Sequence, residues 1–291
     1  MKKVIVLGAN GQLGSDISSV LREHGFDVVE ITHQQLDVGN TGELEILFEK
    51  EKPDVVINAT AYHNVNLCEE KPEIAEQINA IAPGFISALS KRLNFRFIHF
   101  STDYVFDGNS SKPYIETDEA YPLNEYGKSK LNGEKIVLAE NPDSIVMRVS
   151  GLYGSHPCRA KNGLNFVQLM LKLAREKGEV KVVTDEIVSP TYTKNIAQQV
   201  VKILDSNLNG MVHSTSEGFC SWNEFAREIF NYTRTPVNLL SALSTDFPPT
   251  IKRPKYSVLE NARLKESDIN VMLNWKIALH QYLDEMAQAA S

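Results

Sequence analysis

A tyrosine and a lysine that could move a proton together stand four positions apart, at Tyr126 and Lys130. On a helix, that spacing places both side chains on one face. A lysine ammonium beside a phenol favours the phenolate and lowers the phenol pKa, so that the group can exchange a proton with a carbonyl or an alcohol. Taken alone, the pair is also typical of a surface tyrosine and a solvated lysine.

A hydroxyl that could hold a substrate oxygen precedes this pair in the chain. Thr102 follows an apolar run, residues 95–100, that has the composition of a strand. The carboxyl ends of strands in an open α/β sheet line the crevice where ligands bind. We therefore predict that Thr102, Tyr126 and Lys130 form a catalytic set. Asp103 is expected to orient Thr102, to contact a substrate, or to cap a turn.

A glycine-rich turn, G-A-N-G-Q-L-G at residues 8–14, follows the first predicted strand and opens a helix. Glycines allow a tight turn and a close approach of the backbone, and the helix N-terminus offers N–H groups to a diphosphate. The turn therefore predicts a dinucleotide site, with a plain glycine-rich turn as the alternative. The predicted cofactor contacts here are Gly8, Asn10, Gly11, Gln12, Leu13 and Gly14.

The end of the second predicted strand indicates which dinucleotide is used. Where NAD-preferring sites usually carry an acidic residue for the ribose 2′-hydroxyl, this chain reads Ile-Thr-His-Gln at 31–34. No carboxylate in that stretch would repel a 2′-phosphate. The predicted cofactor is therefore NADPH, with NADH as the alternative.

Two further segments are predicted to contact the cofactor. Asp37 and Val38 follow the second strand, where Asp37 could meet the adenine ring or cap the next helix. Ala59, Thr60 and Ala61 end the third strand, and such small residues would let the backbone approach the cofactor. Simple strand–helix packing is the alternative for this second segment.

The elements that must position these residues alternate along the first half of the chain. Short β-branched runs at 4–8, 26–31, 54–59, 95–100 and 144–149 are separated by amphipathic stretches. This rhythm predicts a Rossmann-like, doubly wound α/β fold with a parallel sheet. One long helix is expected over much of 72–93 and a last one near 275–287. His99, inside an apolar run, is predicted to be a packed core residue.

The composition of the chain changes after residue 150, where glycines and prolines become frequent. We expect a dinucleotide-binding domain over 1–150, to which parts of 185–210 return. The remainder, 151–291, is expected to form mainly a smaller, loop-rich lobe that binds the substrate.

Composition excludes several other classes of protein. The 291 residues carry 30 basic and 37 acidic side chains, a net charge of −7, which disfavours a broad electrostatic contact with nucleic acid or an anionic membrane. No apolar run reaches the length of a membrane span. Three distant cysteines, Cys68, Cys158 and Cys220, fit neither a disulfide framework nor a zinc site. We expect reduced thiols, no metal and a cytoplasmic location.

These motifs together resemble the extended short-chain dehydrogenase/reductases, nearly from end to end. The resemblance implies that Tyr126 gives a proton to a ketone oxygen, with Thr102 and Lys130 completing the catalytic trio. It also implies hydride transfer from the nicotinamide, and a C-terminal lobe in which Arg253 and Tyr256 contact a nucleotide sugar. The strings that carry it are GANGQLG, LDV, PDVVINATAY, STDYVFDG, PLNEYGKSKLNGE, NFV, SPTYT, CSWNEFA and RPKYSVL.

The substrate implied by the resemblance is a nucleotide-activated 6-deoxy sugar with a C4 ketone, first of all dTDP-4-dehydro-L-rhamnose. Two departures from the family pattern fall where the sugar should lie. His63 stands where a small hydroxyl residue is usual, and Gly151 replaces an aromatic residue. His63 and Val65 are therefore expected to contact the substrate, and a different 4-keto sugar nucleotide is the alternative.

Two other functions share the same fold. One is a non-catalytic, dinucleotide-binding regulatory subunit, which the intact Thr102, Tyr126 and Lys130 set argues against. The other is an epimerase or dehydratase that keeps its NAD bound, but such relatives usually carry extra acid–base groups beside the hydroxyl. A homodimer is also expected.

Overall fold

The computed structural model describes residues 1–157, 163–247 and 251–290. Cys158 lies outside the described residues, whereas Cys68 and Cys220 are buried free thiols. The strands are β1 (Lys3–Leu7), β2 (Asp27–Ile31), β3 (Val55–Asn58), β4 (Arg96–Thr102), β5 (Ile145–Val149), β6 (Leu152–Tyr153), β7 (Glu179–Val183), β8 (Ile187–Val188), β9 (Thr191–Tyr192), β10 (Gly210–His213), β11 (Cys220–Ser221) and β12 (Asn238–Ala242).

The helices lie between these strands and follow the last of them. They are α1 (Gln12–Glu23), α2 (Thr41–Glu51), α3 (Val65–Glu70), α4 (Pro72–Glu76), α5 (Ala82–Leu93), α6 (Glu125–Glu140), α7 (Phe166–Lys177), α8 (Thr193–Leu204), α9 (Trp222–Thr233), α10 (Ala262–Glu266) and α11 (Trp275–Ala290). The helix predicted over 72–93 is present, but a π-helical turn at Gln77–Ile81 separates α4 from α5. Within the described ranges, no helix is long and apolar enough to cross a membrane.

Six strands form one parallel sheet in the order β2-β1-β3-β4-β5-β10. The five strands predicted from sequence match β1 to β5 within two residues at each end. β10 was not predicted. Helices α1 and α8 cover one face of the sheet, and α2, α5 and α6 cover the other. The predicted doubly wound α/β class is therefore confirmed.

The order of the strands places a crevice beside β1. The chain passes from β1 to β2 on one side and continues to β3 on the other, so the winding direction reverses at this point. Loops at the carboxyl ends of β1 and β3 diverge there, and ligands of open α/β sheets bind in the gap. The glycine turn at 8–14 and the segment 59–61 both begin at this edge.

A second apolar core forms outside the sheet, in the later part of the chain. It joins α7, α9 and α11 to the small parallel pair of β7 and β12. On α11, Leu279, Tyr282 and Leu283 are buried, which confirms that the last helix packs back on the body. Between these elements the chain returns to the first core, where α8 packs beside α1 and β10 pairs with β5.

A buried ion pair ties α6 to the sheet. The guanidinium of Arg148 on β5 donates to both carboxylate oxygens of Glu134 on α6, at 2.8 and 2.7 Å. The two side chains are only 5% and 2% exposed. Such a pair contributes little net stability over an apolar pair, but the loss of one partner leaves the other charge buried and alone.

Replacing Glu134 should therefore destabilise the fold. We expect Glu134→Ala to lower the free energy of unfolding by about 3–5 kcal/mol, measured by urea denaturation. The control is Glu176→Ala, which removes an exposed i,i+4 pair with Lys172 and should change the value by less than about 0.5 kcal/mol. Equal effects of the two substitutions would contradict this assignment.

Candidate active site

The turn at 8–14 is shaped for a close ligand. Gly8 has a φ of +76°, a conformation that favours glycine. A Cβ added to Gly14 would lie 2.3 Å from the carbonyl oxygen of Gly8, and one added to Gly8 would lie 3.0 Å from the methyl group of Thr60. The glycines therefore let α1 and the end of β3 approach the turn more closely than larger residues would.

The N-terminus of α1 faces this turn without a capping side chain. Gly11 is the N-cap residue and the first turn holds no acidic residue, so the positive end of the helix dipole is left for an anion. The side-chain amide of Gln12 donates to the Gly154 carbonyl at 3.3 Å, and the Leu13 side chain is buried in the core. These two residues therefore offer a ligand their backbone N–H groups. Asn10 donates to Gln34 at 3.2 Å.

The other predicted cofactor residues lie at the same edge of the sheet. Asp37 is exposed and accepts a bond from the Gly39 N–H at 2.9 Å, whereas Asn40 caps α2, the alternative role considered for Asp37. Val38 is buried.

Next to the glycine turn, the N–H and the hydroxyl of Thr60 both donate to the Asn58 side-chain oxygen, at 3.1 and 2.6 Å. Ala59 and Ala61, which flank Thr60, are half-buried. An uncapped helix end beside these small residues fits a dinucleotide diphosphate.

Helix α6 presents the tyrosine of the catalytic set. Its N-cap residue is Asn124, whose side-chain oxygen accepts from the Gly127 N–H at 2.8 Å. A Cβ on Gly127 would lie 2.3 Å from the carbonyl oxygen of Tyr104, so the helix start passes directly against the end of β4. Across this contact the Thr102 hydroxyl lies close enough to the Tyr126 phenol to oppose the rise that burial causes in the Tyr126 pKa.

The Asp103 carboxylate is hydrogen-bonded to the Thr102 hydroxyl. The Thr102 hydroxyl donates to one carboxylate oxygen of Asp103 at 3.0 Å, and the Ser150 hydroxyl donates to the other at 2.8 Å. The carboxylate is 3% exposed, and burial raises its pKa while these hydrogen bonds oppose the shift. Thr102 itself caps the following turn by accepting from the Tyr104 N–H. These bonds favour the orienting role among the alternatives for Asp103, and its contact with a substrate stays a prediction.

The pKa of Tyr126 is raised, so the net lowering expected from an adjacent ammonium is wrong for this structure. The Lys130 nitrogen is directed at β4, where it lies 2.5 Å from the Phe100 carbonyl oxygen and 3.2 Å from Nε2 of His99. Burial lowers the Lys130 pKa to about 8. Burial also raises the pKa of Tyr126, although the nearby Thr102 hydroxyl opposes that shift. The phenol therefore stays protonated at neutral pH and can act as a proton donor.

Two residues near the catalytic set were not predicted from the sequence to contribute to the site. His99 is buried in the core as predicted, but it also contacts Lys130 and Asn58. Asn79, in the π-helical turn, bonds both backbone groups of Tyr62 and the hydroxyl of Ser129. A histidine inside an apolar run and an asparagine inside a helical run carry no spacing signal, so only the packing of elements identifies them.

The predicted substrate residues lie at two places around the set. His63 is exposed, with Nδ1 3.3 Å from the Ala61 carbonyl oxygen, and Val65 begins α3 in the same loop after β3. On the other side, Arg253 is exposed and lies close enough to Tyr104 for its charge to oppose the rise that burial causes in the Tyr104 pKa.

Tyr104 links Arg253 to the catalytic set, because its ring packs edge-on against Tyr126 with 5.8 Å between centroids. Tyr256, three residues after Arg253, is half-buried and packs edge-on against Phe219, with 6.2 Å between centroids. The described residues include no group of three or more histidine, cysteine, aspartate or glutamate side chains that could hold a metal ion.

Comparison with known proteins places this arrangement in a family. The sequence profile described as "RmlD substrate binding domain" matches residues 1–288. The spore coat polysaccharide biosynthesis protein SpsK of Bacillus subtilis is 37% identical over 289 residues, which cover 99% of each chain.

Two solved structures extend the likeness to three dimensions. A dTDP-4-dehydrorhamnose reductase from Clostridium acetobutylicum has a TM-score of 0.92 and 38% identity, covering 98% of this chain and 99% of that one. The enzyme of the same name from Bacillus anthracis, solved in complex with NADP, has a TM-score of 0.93 and 33% identity, covering 98% and 100%. The chain therefore belongs to the RmlD substrate binding domain family, within the extended short-chain dehydrogenase/reductases.

Proposed function

We propose that the protein uses NADPH to reduce the C4 ketone of dTDP-4-dehydro-L-rhamnose, giving dTDP-L-rhamnose. The observation that carries the proposal is the close approach of the Thr102 hydroxyl and the Tyr126 phenol, at the edge of the sheet that also holds the uncapped glycine turn. The names of the two similar solved enzymes, and the NADP in one of them, support both the substrate and the cofactor.

Each member of the catalytic set has a distinct task in this reaction. When bound, NADPH supplies the hydride that adds to the C4 carbon. Tyr126 donates its phenolic proton to the ketone oxygen, and the Thr102 hydroxyl, which Asp103 positions in the free protein, turns its single hydrogen to that oxygen. The Lys130 ammonium stabilises the tyrosinate that remains. The reduction thus consumes one hydride and one proton and leaves a C4 alcohol.

The cofactor contacts are proposed from the same edge of the sheet. The N–H groups at the start of α1 would hold the diphosphate of NADPH, with Gly8, Gly11 and Gly14 permitting its approach. Asn10, Gln12 and Leu13 would contribute from the same turn, while Asp37 and Val38 would flank the adenine. Ala59, Thr60 and Ala61, together with Tyr126 and Lys130, would border the nicotinamide end.

Arg253 is the proposed partner of the substrate diphosphate. Its guanidinium is exposed beside Tyr104, and its planar fork suits phosphate oxygens. His63, Val65 and Tyr256 complete the proposed substrate contacts. Because His63 and Gly151 depart from the family pattern, a different 4-keto sugar nucleotide is the second candidate substrate.

The domain organisation, assembly and location form part of the same proposal. We infer a dinucleotide-binding domain over 1–150, joined by the returning parts of 185–210, and mainly a substrate lobe over 151–291. Two separate buried cores support this division. We further propose a homodimer, supported by exposed isoleucines on the segment 72–81, and a cytoplasmic location, supported by the free thiols of Cys68 and Cys220.

Removal of the proton donor tests the catalytic assignment. We expect Tyr126→Phe to lower kcat by about 10²–10⁴-fold while NADPH still binds, because only the phenol oxygen is lost. NADPH oxidation in the presence of the ketosugar measures kcat, and cofactor fluorescence measures binding. The control is Tyr121→Phe, at a tyrosine that is 55% exposed, which should leave both values unchanged. Unchanged turnover in Tyr126→Phe would end the proposal.

Filling the glycine turn tests the cofactor site. Gly14→Ala should weaken NADPH binding roughly tenfold or more, equivalent to about 1.4 kcal/mol, because the new Cβ displaces the Gly8 carbonyl from its place in the turn. Titration of NADPH fluorescence measures the effect. Gly42→Ala serves as the control, since its Cβ would meet only the Asn40 side chain, at 3.8 Å. Equal affinities in the two variants would exclude the turn as the diphosphate site.

A further inference from the structure

A chain of hydrogen bonds runs under the catalytic set from the glycine turn to Lys130. Its members are Thr60 at the end of β3, Asn58 on β3, His99 on β4 and Lys130 on α6. Asn58, His99 and Lys130 are at most 1% exposed, so water does not satisfy their polar atoms. Each donor and acceptor must therefore be accounted for within the protein.

The first bond fixes the orientation of the Asn58 amide. The Thr60 backbone N–H, which can only donate, lies 3.1 Å from the side-chain oxygen of Asn58. The NH₂ group of Asn58 is then the group that faces Nδ1 of His99, at 3.3 Å. Nδ1 must accept this bond, so it carries no proton.

The tautomer of His99 follows from that bond. Burial holds the pKa of His99 well below its usual range, so the ring is neutral and its single proton sits on Nε2. Nε2 lies 3.2 Å from the Lys130 nitrogen. A neutral amine has a lone pair that can accept a bond from this N–H, whereas an ammonium has only N–H donors and cannot accept one. The remaining hydrogens of Lys130 face the Phe100 carbonyl oxygen, at 2.5 Å.

We propose that His99 is a positioning residue for Lys130: Asn58 fixes the imidazole tautomer whose Nε2–H donates to the lysine nitrogen, and this bond favours the neutral amine over the ammonium. No feature of the 95–100 run predicted this role. The inference deepens the proposed function, on which it rests, because it assigns what sets the charge of the lysine that stabilises tyrosinate.

The other charged groups around Lys130 act in the opposite direction or are already paired. Glu134, one turn further along α6, favours the ammonium. Arg148 of β5 is held by both oxygens of Glu134. Asp103, whose charge acts on Tyr126, accepts bonds from Thr102 and Ser150. Burial and the proposed His99 bond thus favour the neutral amine, Glu134 favours the ammonium, and their balance decides at which pH Lys130 loses its proton.

The catalytic consequence is an alkaline limit to the reduction. Below the Lys130 pKa the ammonium is present and stabilises the tyrosinate, and above it the neutral amine does not. The value of kcat/KM should therefore fall as pH rises through about 8, the pKa to which burial lowers Lys130. The pH dependence of kcat/KM reports the ionisation of groups in the free enzyme, where the bond between His99 and Lys130 is intact.

Substitution of His99 separates positioning from mere packing. His99→Leu removes the donor and should move the alkaline fall of kcat/KM upward by about 1 pH unit, while His99→Gln, which places an N–H donor near Lys130, should restore the wild-type position. The control is His280→Gln, at a half-buried histidine of α11 that pairs with Glu228, which should leave the fall in place. An unmoved fall in His99→Leu, or an equal movement in all three variants, would overturn the proposal.

A measurement on the cofactor-free protein is independent of activity. Long-range ¹H–¹⁵N NMR spectra of wild type, recorded above the Lys130 midpoint, should show the His99 proton on Nε2. The ε-carbon of Lys130, assigned with Lys130→Arg, should titrate near the alkaline fall. A proton on Nδ1 would overturn the proposal even in an active enzyme. If wild type reduces no 4-keto sugar nucleotide but shows the Nε2 tautomer and this titration, the proposed function fails and the His99 assignment stands.

Discussion

The close approach of α6 to the carboxyl end of β4 is the constraint on which the site depends. The helix can lie there because Gly127 leaves room for the Tyr104 carbonyl, and because the Glu134–Arg148 pair fixes the next turn of the helix to β5. From that position Tyr126 lies close to the Thr102 hydroxyl, and the Lys130 nitrogen contacts the Phe100 carbonyl oxygen and the His99 ring on β4. A shift of α6 would separate the proton donor from the hydroxyl that aligns the substrate.

Burial then gives the two ionisable groups their chemical states. It raises the Tyr126 pKa, which keeps the phenol protonated and suits a reductase that must give a proton to an alkoxide. It lowers the Lys130 pKa to about 8, which makes the charge of the lysine sensitive to its neighbours. The donor works from a protonated ground state, and the ammonium is needed only when the proton has left. Lys130 can therefore serve the reaction without forming a phenolate in the resting protein.

Periodicity and motif spacing predicted the parallel sheet, the strands β1 to β5 and the glycine turn, and they also suggested the catalytic set, whose roles stay a prediction. These features are local or repeat along the chain, so short windows of sequence carry them. The expected lowering of the Tyr126 pKa was wrong, because burial of the phenol depends on how α6 packs against distant parts of the chain. The supporting role of Asp103 depends on Ser150, which arrives from a distant strand. The break at Gln77–Ile81 likewise reflects contacts of Asn79 with two other elements.

In the proposed reaction, a hydride enters the sugar at the carbon whose oxygen receives the Tyr126 proton. This transfer is tested most directly by supplying dTDP-4-dehydro-L-rhamnose with NADPH that carries deuterium at the transferable position of the nicotinamide, followed by NMR of the product. We expect one deuterium at C4 of the sugar and one oxidised cofactor per product molecule. A product without deuterium at C4, or one formed with no net oxidation of NADPH, would contradict it.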